Sequence, residues 1–167
     1  MGDLRFAVFG TSFWSRFQIS AWREVGGVEL VALYNRTRQN AERLAHDLGL
    51  EGVHVYDDPE AQFLREDIGF IDIITEVEGH APLVLLAAKR KVPVICQKPM
   101  ASDLVTAENM VRTCRRADVP FFIHDNFRWQ APVRAVKEAL GLGGSVARSG
   151  RTSRFSHPSL CSRTSPC

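Results

Sequence analysis

The stretch Leu4-Arg5-Phe6-Ala7-Val8-Phe9-Gly10-Thr11-Ser12-Phe13-Trp14-Ser15 decides the fold of this chain. Apolar residues of strand character run into Gly10, and a helical pattern begins at Phe13. A strand, a glycine turn and a helix in this order open the unit that binds dinucleotides, whose fingerprint is G-x-G-x-x-G/A. Gly10 keeps the first glycine of the fingerprint, while Ser12 and Ser15 stand at the other two positions. The stretch predicts a dinucleotide-binding turn, and a plain strand–turn–helix is the alternative.

The residues that replace the glycines are small enough for the same purpose. Gly10 can adopt the backbone of a tight turn. Ser12 permits close approach of a pyrophosphate and offers it a hydroxyl donor, and Ser15 lets the helix pack on the strand. The start of the helix adds amide donors and a partial positive charge for the phosphates.

Short apolar runs alternate with longer amphipathic runs along the rest of the chain. This alternation predicts an α/β fold with a doubly wound, mainly parallel sheet of the Rossmann-like type, because strand–helix–strand crossovers have one hand. Ser102 is the predicted N-cap of the helix that begins at Leu104. The predicted strands are residues 4–9, 29–34, 54–56, 70–74, 93–96 and 121–124. The predicted helices are residues 13–25, 38–48, 59–65, 82–90, 104–117 and 131–140.

Composition and charge exclude several classes of protein. The 167 residues are 45% hydrophobic and 24% charged, as in a globular domain with its own core. Four arginines and no acidic residue lie in residues 142–167, so the other 17 basic and 19 acidic side chains give residues 1–141 a net charge of −2. A body without excess positive charge predicts no nucleic-acid partner. No apolar run approaches the ~18 residues of a bilayer span, which predicts no membrane partner.

The expected location is the cytoplasm. The residues before the first strand are too few and too polar for a signal peptide. The four cysteines lie far apart without CxxC spacing, so we expect reduced thiols and no metal site.

The chain changes character near residue 142. Seven of the 23 residues from Ser145 to Cys167 are serine, and no helical or strand period continues. We therefore expect two regions: a nucleotide-binding Rossmann domain in residues 1–142 and an irregular C-terminal tail in residues 143–167.

The second strand ends where a ribose-reading residue belongs, 20 to 25 residues past the first glycine. An acidic residue there favours NAD, because it repels a 2′-phosphate. Asn35 removes that repulsion, and Arg36 can pair with a phosphate. The sequence predicts an NAD(P) cofactor with NADP somewhat favoured. The alternative for Arg36 is a solvated surface charge that stacks on adenine.

Polar residues follow three more predicted strands, at the sheet edge where ligands of open α/β folds bind. Thr75 and His80 follow the strand at 70–74. Gln97-Lys98-Pro99 follows the strand at 93–96, and Asp125-Asn126-Phe127-Arg128 follows the strand at 121–124. An ammonium group beside a nicotinamide can stabilise the oxygen that gains negative charge in hydride transfer. Lys98 is thus a candidate catalytic residue, and a strand-end surface lysine is the alternative.

These motifs, in this order, resemble the N-terminal half of the Gfo/Idh/MocA oxidoreductase family. That family carries a glycine turn, a threonine loop followed by His-Ala-Pro-Leu, a Glu-Lys-Pro motif and a Glu-Asn-x-Arg strand end. The resemblance covers residues 4 to about 146. It implies an NAD(P)-dependent enzyme that transfers hydride to or from a sugar, polyol or related hydroxyl substrate.

The resemblance also implies roles for individual residues. Lys98 corresponds to the family's substrate-facing lysine. Three residues depart from the family pattern: Glu76 replaces a proline, Gln97 stands where glutamate is common, and Asp125 shortens a glutamate. The implied cofactor contacts are Gly10, Thr11, Ser12, Phe13, Trp14, Asn35, Arg36, Thr75, His80, Gln97, Lys98 and Asn126.

Several of these side chains also have a structural interpretation. His80 can be a first-turn residue of a helix, and His124 is expected to be a hydrogen-bonded core histidine. The aromatic side chains of the first helix are interpreted as helix-face packing rather than as a substrate box: Phe13, Trp14, Phe17 and Trp22.

Family enzymes carry a second domain that supplies most of the substrate pocket and the contacts of the oligomer. Residues 144–148 resemble the start of that domain, after which the pattern is lost. A shifted reading frame or a truncated gene is one hypothesis, and we expect cofactor binding with negligible turnover, because proton-transfer groups are missing. A non-catalytic NAD(P)-binding module is the second interpretation. An S-adenosylmethionine methyltransferase is the third, although it expects an acidic end to the second strand.

Overall fold

The computed structural model describes residues 2–141. Six parallel strands form one sheet in the order β3-β2-β1-β4-β5-β6. The strands are β1 (Leu4–Phe9), β2 (Val28–Tyr34), β3 (His54–Tyr56), β4 (Phe70–Ile73), β5 (Val94–Gln97) and β6 (Phe121–His124). The helices are α1 (Phe13–Val25), α2 (Arg38–Asp47), α3 (Pro59–Arg65), α4 (Val77–Arg90), α5 (Leu104–Ala117) and α6 (Ala131–Gly141). The predicted doubly wound α/β fold is confirmed.

Alternate side chains of β1 separate the core into two layers. Ala7 and Phe9 join a cluster with residues of α4 and α5, whereas Phe6 and Val8 join a cluster with residues of α1 and α2. Helices therefore cover both faces of the sheet, and the central strands are buried on both sides. The strand order reverses at β1 and β4, which pair in register from Phe6↔Phe70 to Phe9↔Ile73. The carboxyl ends of these two strands form the crevice at which such sheets bind ligands.

One helix start and one N-cap differ from the predictions. Helix α4 begins at Val77 rather than at residue 82, and Pro82 lies inside it. Pro82 is the sixth residue of the helix, so its missing N–H removes one bond of the helical ladder in the second turn. Helix α5 begins where predicted, but its N-cap is Asp103 and not Ser102: the Asp103 carboxylate accepts from the Thr106 backbone N–H at 2.8 Å.

The chain contacts divide the protein into a unit of residues 1–126 and a second unit that begins at Phe127 and contains α6. The predicted boundary near residue 142 stays a prediction, and the predicted irregular tail lies outside the described residues. None of the helices between residues 2 and 141 has the length and apolar content needed to cross a membrane. Over that same range, no three His, Cys, Asp or Glu side chains are grouped so as to hold a metal ion.

Candidate cofactor site

The glycine turn closes tightly on the end of β4. Gly10 has a φ of 103°, and its N–H donates to the carbonyl of Tyr34 at 2.8 Å. A Cβ at Gly10 would lie 2.7 Å from the carbonyl carbon of Ile74, which no side chain can tolerate. The hydroxyl of Ser15 is buried and donates to the Gly10 carbonyl at 3.0 Å. The predicted close packing of helix and strand at Ser15 is confirmed, and the hydroxyl also holds the turn.

A cavity of about 740 Å³ opens directly over this turn. It lies at the carboxyl ends of β1, β2 and β4, and its wall combines backbone of the turn with side chains of the next two strand ends. The structure thus brings six of the predicted site residues to one cavity: Gly10, Thr11, Ser12, Asn35, Arg36 and Thr75. Its volume suits a nucleotide-sized ligand.

The polar side chains of the turn already have protein partners. The Ser12 hydroxyl donates to the Ile74 carbonyl at 3.4 Å, so the expected donation to a pyrophosphate competes with a bond inside the protein. The Asn35 amide donates to the Thr11 hydroxyl, and its oxygen accepts from the Thr37 N–H at 2.8 Å. Asn35 therefore joins the end of β2 to the glycine turn, a role that its position in the sequence did not reveal.

The two ends of the cavity differ in charge. Arg36 is exposed at the β2 end, where an anionic ligand group would be favoured. Glu76 and Glu78 line the β4 end. Tyr34, the buried last residue of β2, also lines the cavity. Burial raises the pKa of its hydroxyl above the ordinary value, so the hydroxyl remains a neutral donor. A ligand with phosphate near Arg36 and a cationic or neutral ring near the glutamates matches this polarity.

The loop that carries Lys98 follows β5, the next strand beyond β4. Lys98 is exposed, and its peptide bond to Pro99 is cis. The amide nitrogen of Gln97 lies 2.6 Å from Nδ1 of His124 on β6, so this side chain has a partner within the sheet. His124 is half-buried and hydrogen-bonded, as expected for a structural histidine. Neither Gln97 nor Lys98 is part of the wall of the large cavity.

His80 lies behind the edge rather than on it. The ring is buried, and both of its nitrogens face backbone oxygens of the segments that carry Thr75 and Pro99. A direct contact between this ring and a cofactor stays a prediction. Asn126 lies just after the carboxyl end of β6. Its side-chain oxygen is buried and has no hydrogen-bond partner among the described residues.

The aromatic residues of α1 do not all pack as expected. Trp22 does, since its ring lies against Phe6 and its indole N–H donates to the Asp72 carboxylate at 2.7 Å. By contrast, Phe13 is 75% and Phe17 is 52% exposed, and Phe17 packs mainly on its neighbours in the same helix. Trp14 is likewise exposed, and neither Phe13 nor Trp14 lines the large cavity. The prediction of helix-face packing is wrong for the three residues nearest the turn, because amphipathic spacing does not show which face meets the sheet.

Sequence reasoning missed several residues of the cavity. Thr37, Asn40 and Pro59 contribute to its wall, and all three follow strand ends of the sheet. Gly79 was missed as well: a Cβ there would lie 2.7 Å from the Thr75 hydroxyl. Thr37 and Pro59 each lie a few residues past a predicted strand. That position, whatever the residue type, was the signal that could have found them.

Comparison with known proteins gives the family. Residues 4–124 match the model of GFO_IDH_MocA, described as an oxidoreductase family with an NAD-binding Rossmann fold. The chain is 41% identical to the D-apiose dehydrogenase of Rhizobium rhizogenes over 143 residues, which are 86% of this chain and 41% of that protein. It is also 41% identical to the D-apiose dehydrogenase of Paraburkholderia graminis over 137 residues, which are 82% of this chain and 36% of the relative.

Solved structures agree with this match. An oxidoreductase from Agrobacterium radiobacter, in complex with NAD+, L-tartaric acid and magnesium, is 40% identical and superposes with a TM-score of 0.78, covering 84% of this chain and 41% of that one. The myo-inositol dehydrogenase of Lactobacillus casei, in complex with NAD(H) and myo-inositol, is 25% identical with a TM-score of 0.78, covering 84% and 42%.

A parallel sheet with a ligand cavity over its first glycine turn defines the class, a Rossmann-type nucleotide-binding domain. Within that class, the chain belongs to the Gfo/Idh/MocA family of NAD(P)-dependent oxidoreductases. It spans about two fifths of the length of the curated relatives that it matches first.

Proposed function

We propose that this chain binds NAD(P) in the cavity over Gly10 and forms the cofactor half of an enzyme that transfers hydride to or from a sugar or polyol. One observation carries the binding proposal: at Gly10 the turn approaches Ile74 so closely that a Cβ would lie 2.7 Å from backbone atoms. The absent side chain lets the turn close against the end of β4 directly beneath the cavity, which is the purpose of the first glycine in a dinucleotide-binding turn. The likeness to D-apiose and myo-inositol dehydrogenases supports the substrate class.

Different residues of the cavity would hold different parts of the cofactor. The amides of the turn and the start of α1 would hold the pyrophosphate. Asn35 and Arg36 would meet the adenosine ribose, and Thr75 would flank the nicotinamide side. Asn126 has a buried oxygen free to accept a hydrogen bond. Bound there, the nicotinamide supplies the group that accepts or donates hydride.

Arg36 supports a preference for NADP. It is exposed at the cavity wall, and no acidic residue follows β2 at the predicted ribose position. Titration of the chain with NADPH and NADH, followed by nicotinamide fluorescence, tests this preference. Tighter binding of NADPH, weakened toward the NADH value in Arg36→Ala, is expected. Clearly tighter binding of NADH would reject the preference while leaving the cofactor site intact.

Lys98 is the proposed catalytic residue. It follows β5, whose Cys96 pairs with Ile73 at the end of β4, so the lysine emerges at the same edge as the cavity. Its ammonium group would hydrogen-bond the substrate oxygen and stabilise negative charge on it, and Pro99 lacks an N–H and so helps to end the strand beside it. In an active form of the enzyme, Lys98→Ala is expected to leave NADPH affinity within about twofold and to lower turnover by at least about a hundredfold. Turnover within twofold of the parent would remove the catalytic role.

A non-catalytic NAD(P)-binding module is the second candidate. It is favoured by the absence of Gln97 and Lys98 from the wall of the cavity that would hold the cofactor. A dehydrogenase assay of this chain with a panel of sugars and polyols separates the two candidates. Cofactor binding without turnover on any substrate would favour the module, and turnover would favour the enzyme.

A further inference from the structure

The ring of His80 connects the two segments that flank the candidate site. Its Nδ1 lies 3.0 Å from the carbonyl oxygen of Pro99 and 3.3 Å from that of Met100. Its Nε2 lies 3.1 Å from the carbonyl oxygen of Thr75. The ring is only 1% exposed, so it lies beneath both segments. One side chain therefore joins the loop that carries Lys98 to the turn that lines the cavity.

All the atoms that these ring nitrogens face are acceptors. A carbonyl oxygen accepts hydrogen bonds and cannot donate them. A neutral imidazole has a single N–H, so one of its nitrogens would direct a lone pair at an oxygen. A ring with hydrogens on both nitrogens satisfies both sides. We propose that His80 is a positioning residue that donates from both nitrogens and so fixes the Lys98 loop to the turn after β4.

The side chains of the two segments carry more acidic than basic charge. The charged side chains of residues 75–79 and 97–103 are Glu76, Glu78, Asp103 and Lys98, three acidic groups and one basic group. The N-terminal end of α4 and the burial of the ring oppose a cation there. Charge-assisted hydrogen bonds to the carbonyl oxygens on both sides of the ring favour the cation, because they are stronger than bonds from a neutral ring.

The consequence for Lys98 rests on the proposed function. A catalytic side chain must be held in one orientation by groups beneath it. The backbone oxygens of Pro99 and Met100, the two residues after Lys98, are held by the same ring nitrogen. A loop attached in this way presents the amine to a ligand in one orientation, and it moves with the Thr75 turn rather than independently.

The protonation of the ring is measured first, on the unaltered chain. Long-range ¹H–¹⁵N correlation spectra of protein labelled in histidine distinguish nitrogens that carry hydrogen from those that do not. The His80 signals are assigned through the sequentially assigned backbone of the parent chain, and their loss in His80→Gln is a check on that assignment. Hydrogen on both Nδ1 and Nε2 near neutral pH is the expected result. A nitrogen without hydrogen in the folded protein would overturn the proposal that the ring donates from both sides.

The positioning role is measured by the reactivity of Lys98. An amine-directed acylating reagent is applied to the parent chain and to His80→Gln, whose single amide group cannot donate to both sides. Peptide mass spectrometry then compares labelling of Lys98 with that of Lys89, an exposed lysine at the far end of α4. We expect the ratio to change by roughly two- to thirtyfold. His46→Gln, which alters a histidine ring that is 90% exposed, is the matched control and should leave the ratio unchanged.

The outcomes separate this inference from the proposed function. An unchanged Lys98 ratio in a folded His80→Gln chain overturns the positioning role. If that variant does not fold, the spectra of the parent chain still decide whether both nitrogens donate. Failure of the parent chain to bind either NADPH or NADH would overturn the proposed function instead, and it would leave the state of the His80 ring as measured.

Discussion

At the scale of single residues, the glycine turn stabilises the fold and shapes the candidate site with the same atoms. The Gly10 N–H and carbonyl are both bonded, to the Tyr34 carbonyl at 2.8 Å and to the Ser15 hydroxyl at 3.0 Å. These bonds hold the backbone against Ile74, and only the absence of a side chain permits that close approach. A change at this one position therefore alters stability and binding together.

Replacing Gly10 by alanine is expected to reduce both properties. The new Cβ would meet backbone atoms of Ile74 and Thr75, and the φ of 103° disfavours any residue with a side chain. The free energy of unfolding should fall by about 1–3 kcal/mol, measured by urea denaturation. NADPH affinity should fall at least about tenfold. Gly2→Ala is the control, since nothing lies within 4 Å of its Cβ position, and parent-like binding by Gly10→Ala would contradict the site.

Asp72 gives a prediction that depends on pH. The side chain is fully buried in β4, and burial raises the pKa of its carboxyl above the usual value. The folded state thus keeps a proton that the unfolded chain has lost, so this group favours folding at acidic pH and its contribution is lost as pH rises through the folded pKa. Asp72→Asn keeps an acceptor for Trp22 and removes the charge.

We expect Asp72→Asn to gain stability relative to the parent as pH rises from about 4 to 8, by on the order of 1 kcal/mol at the upper end. Urea denaturation at several pH values measures the difference. Asp67→Asn is the control, because that side chain is 91% exposed, and its difference from the parent should vary little over this range. A constant difference between Asp72→Asn and the parent would show that the carboxyl is ionised in both states.

At the scale of elements, the sequence predicted which strands and helices exist, and their order, better than it predicted where helices begin. All six strands were found within one residue at each end, because apolar runs between polar turns mark strands that are buried on both faces. The start of α4 was missed, since Gly79 and Pro82 both lower helix propensity. A side chain at Gly79 would crowd the Thr75 hydroxyl four residues earlier, a contact that depends on side-chain direction and not on helix propensity.

The N-cap of α5 illustrates the same limit and can be tested. Asp103 accepts from both the N–H and the hydroxyl of Thr106, at 2.8 and 2.7 Å, and the side-chain bond from Thr106 lowers the pKa of its carboxyl. Asp103→Ala should lower the midpoint of urea denaturation near neutral pH, and Ser102→Ala should lower it less, because the Ser102 hydroxyl only adds a weaker bond to the Asp103 carboxylate. The loss should shrink as pH falls through the pKa of Asp103, because a protonated cap accepts more weakly. Equal effects of the two substitutions would contradict the assignment.

At the scale of the whole molecule, the candidate site is assembled by topology. Gly10, Arg36 and Thr75 are far apart in the chain, yet parallel pairing brings the ends of β1, β2 and β4 to one edge. The sequence predicted this meeting because the strand pattern implied a parallel sheet. It could not predict that Gln97 is held by His124 or that His80 lies beneath the loop, since side-chain direction depends on packing between β5, β6 and α4.

A ligand at this edge should stabilise the sheet as a unit, and Cys96 can report it. The thiol lies in β5 with no exposed surface, and burial raises its pKa to about 12, so alkylation near neutral pH requires the sheet to open. NADPH at a concentration of a hundred times its dissociation constant should stabilise the folded state by about 2.7 kcal/mol. The peptide that contains Cys96 should then be alkylated about a hundredfold more slowly.

The control for this protection is the Gly10→Ala chain, in which a Cβ would clash with the backbone of Ile74 and so distort the turn beneath the cavity. At the same NADPH concentration its Cys96 should be protected about tenfold or less, because a ligand that binds at least tenfold more weakly shifts the equilibrium correspondingly less. Cys114, buried in α5 on one face of the same sheet, should follow Cys96 in the parent chain if the sheet opens cooperatively. Protection of Cys96 without protection of Cys114 would mean that the cofactor stabilises only the strand edge, and no protection of either in a chain that binds NADPH would mean that alkylation proceeds through a local opening remote from the cavity.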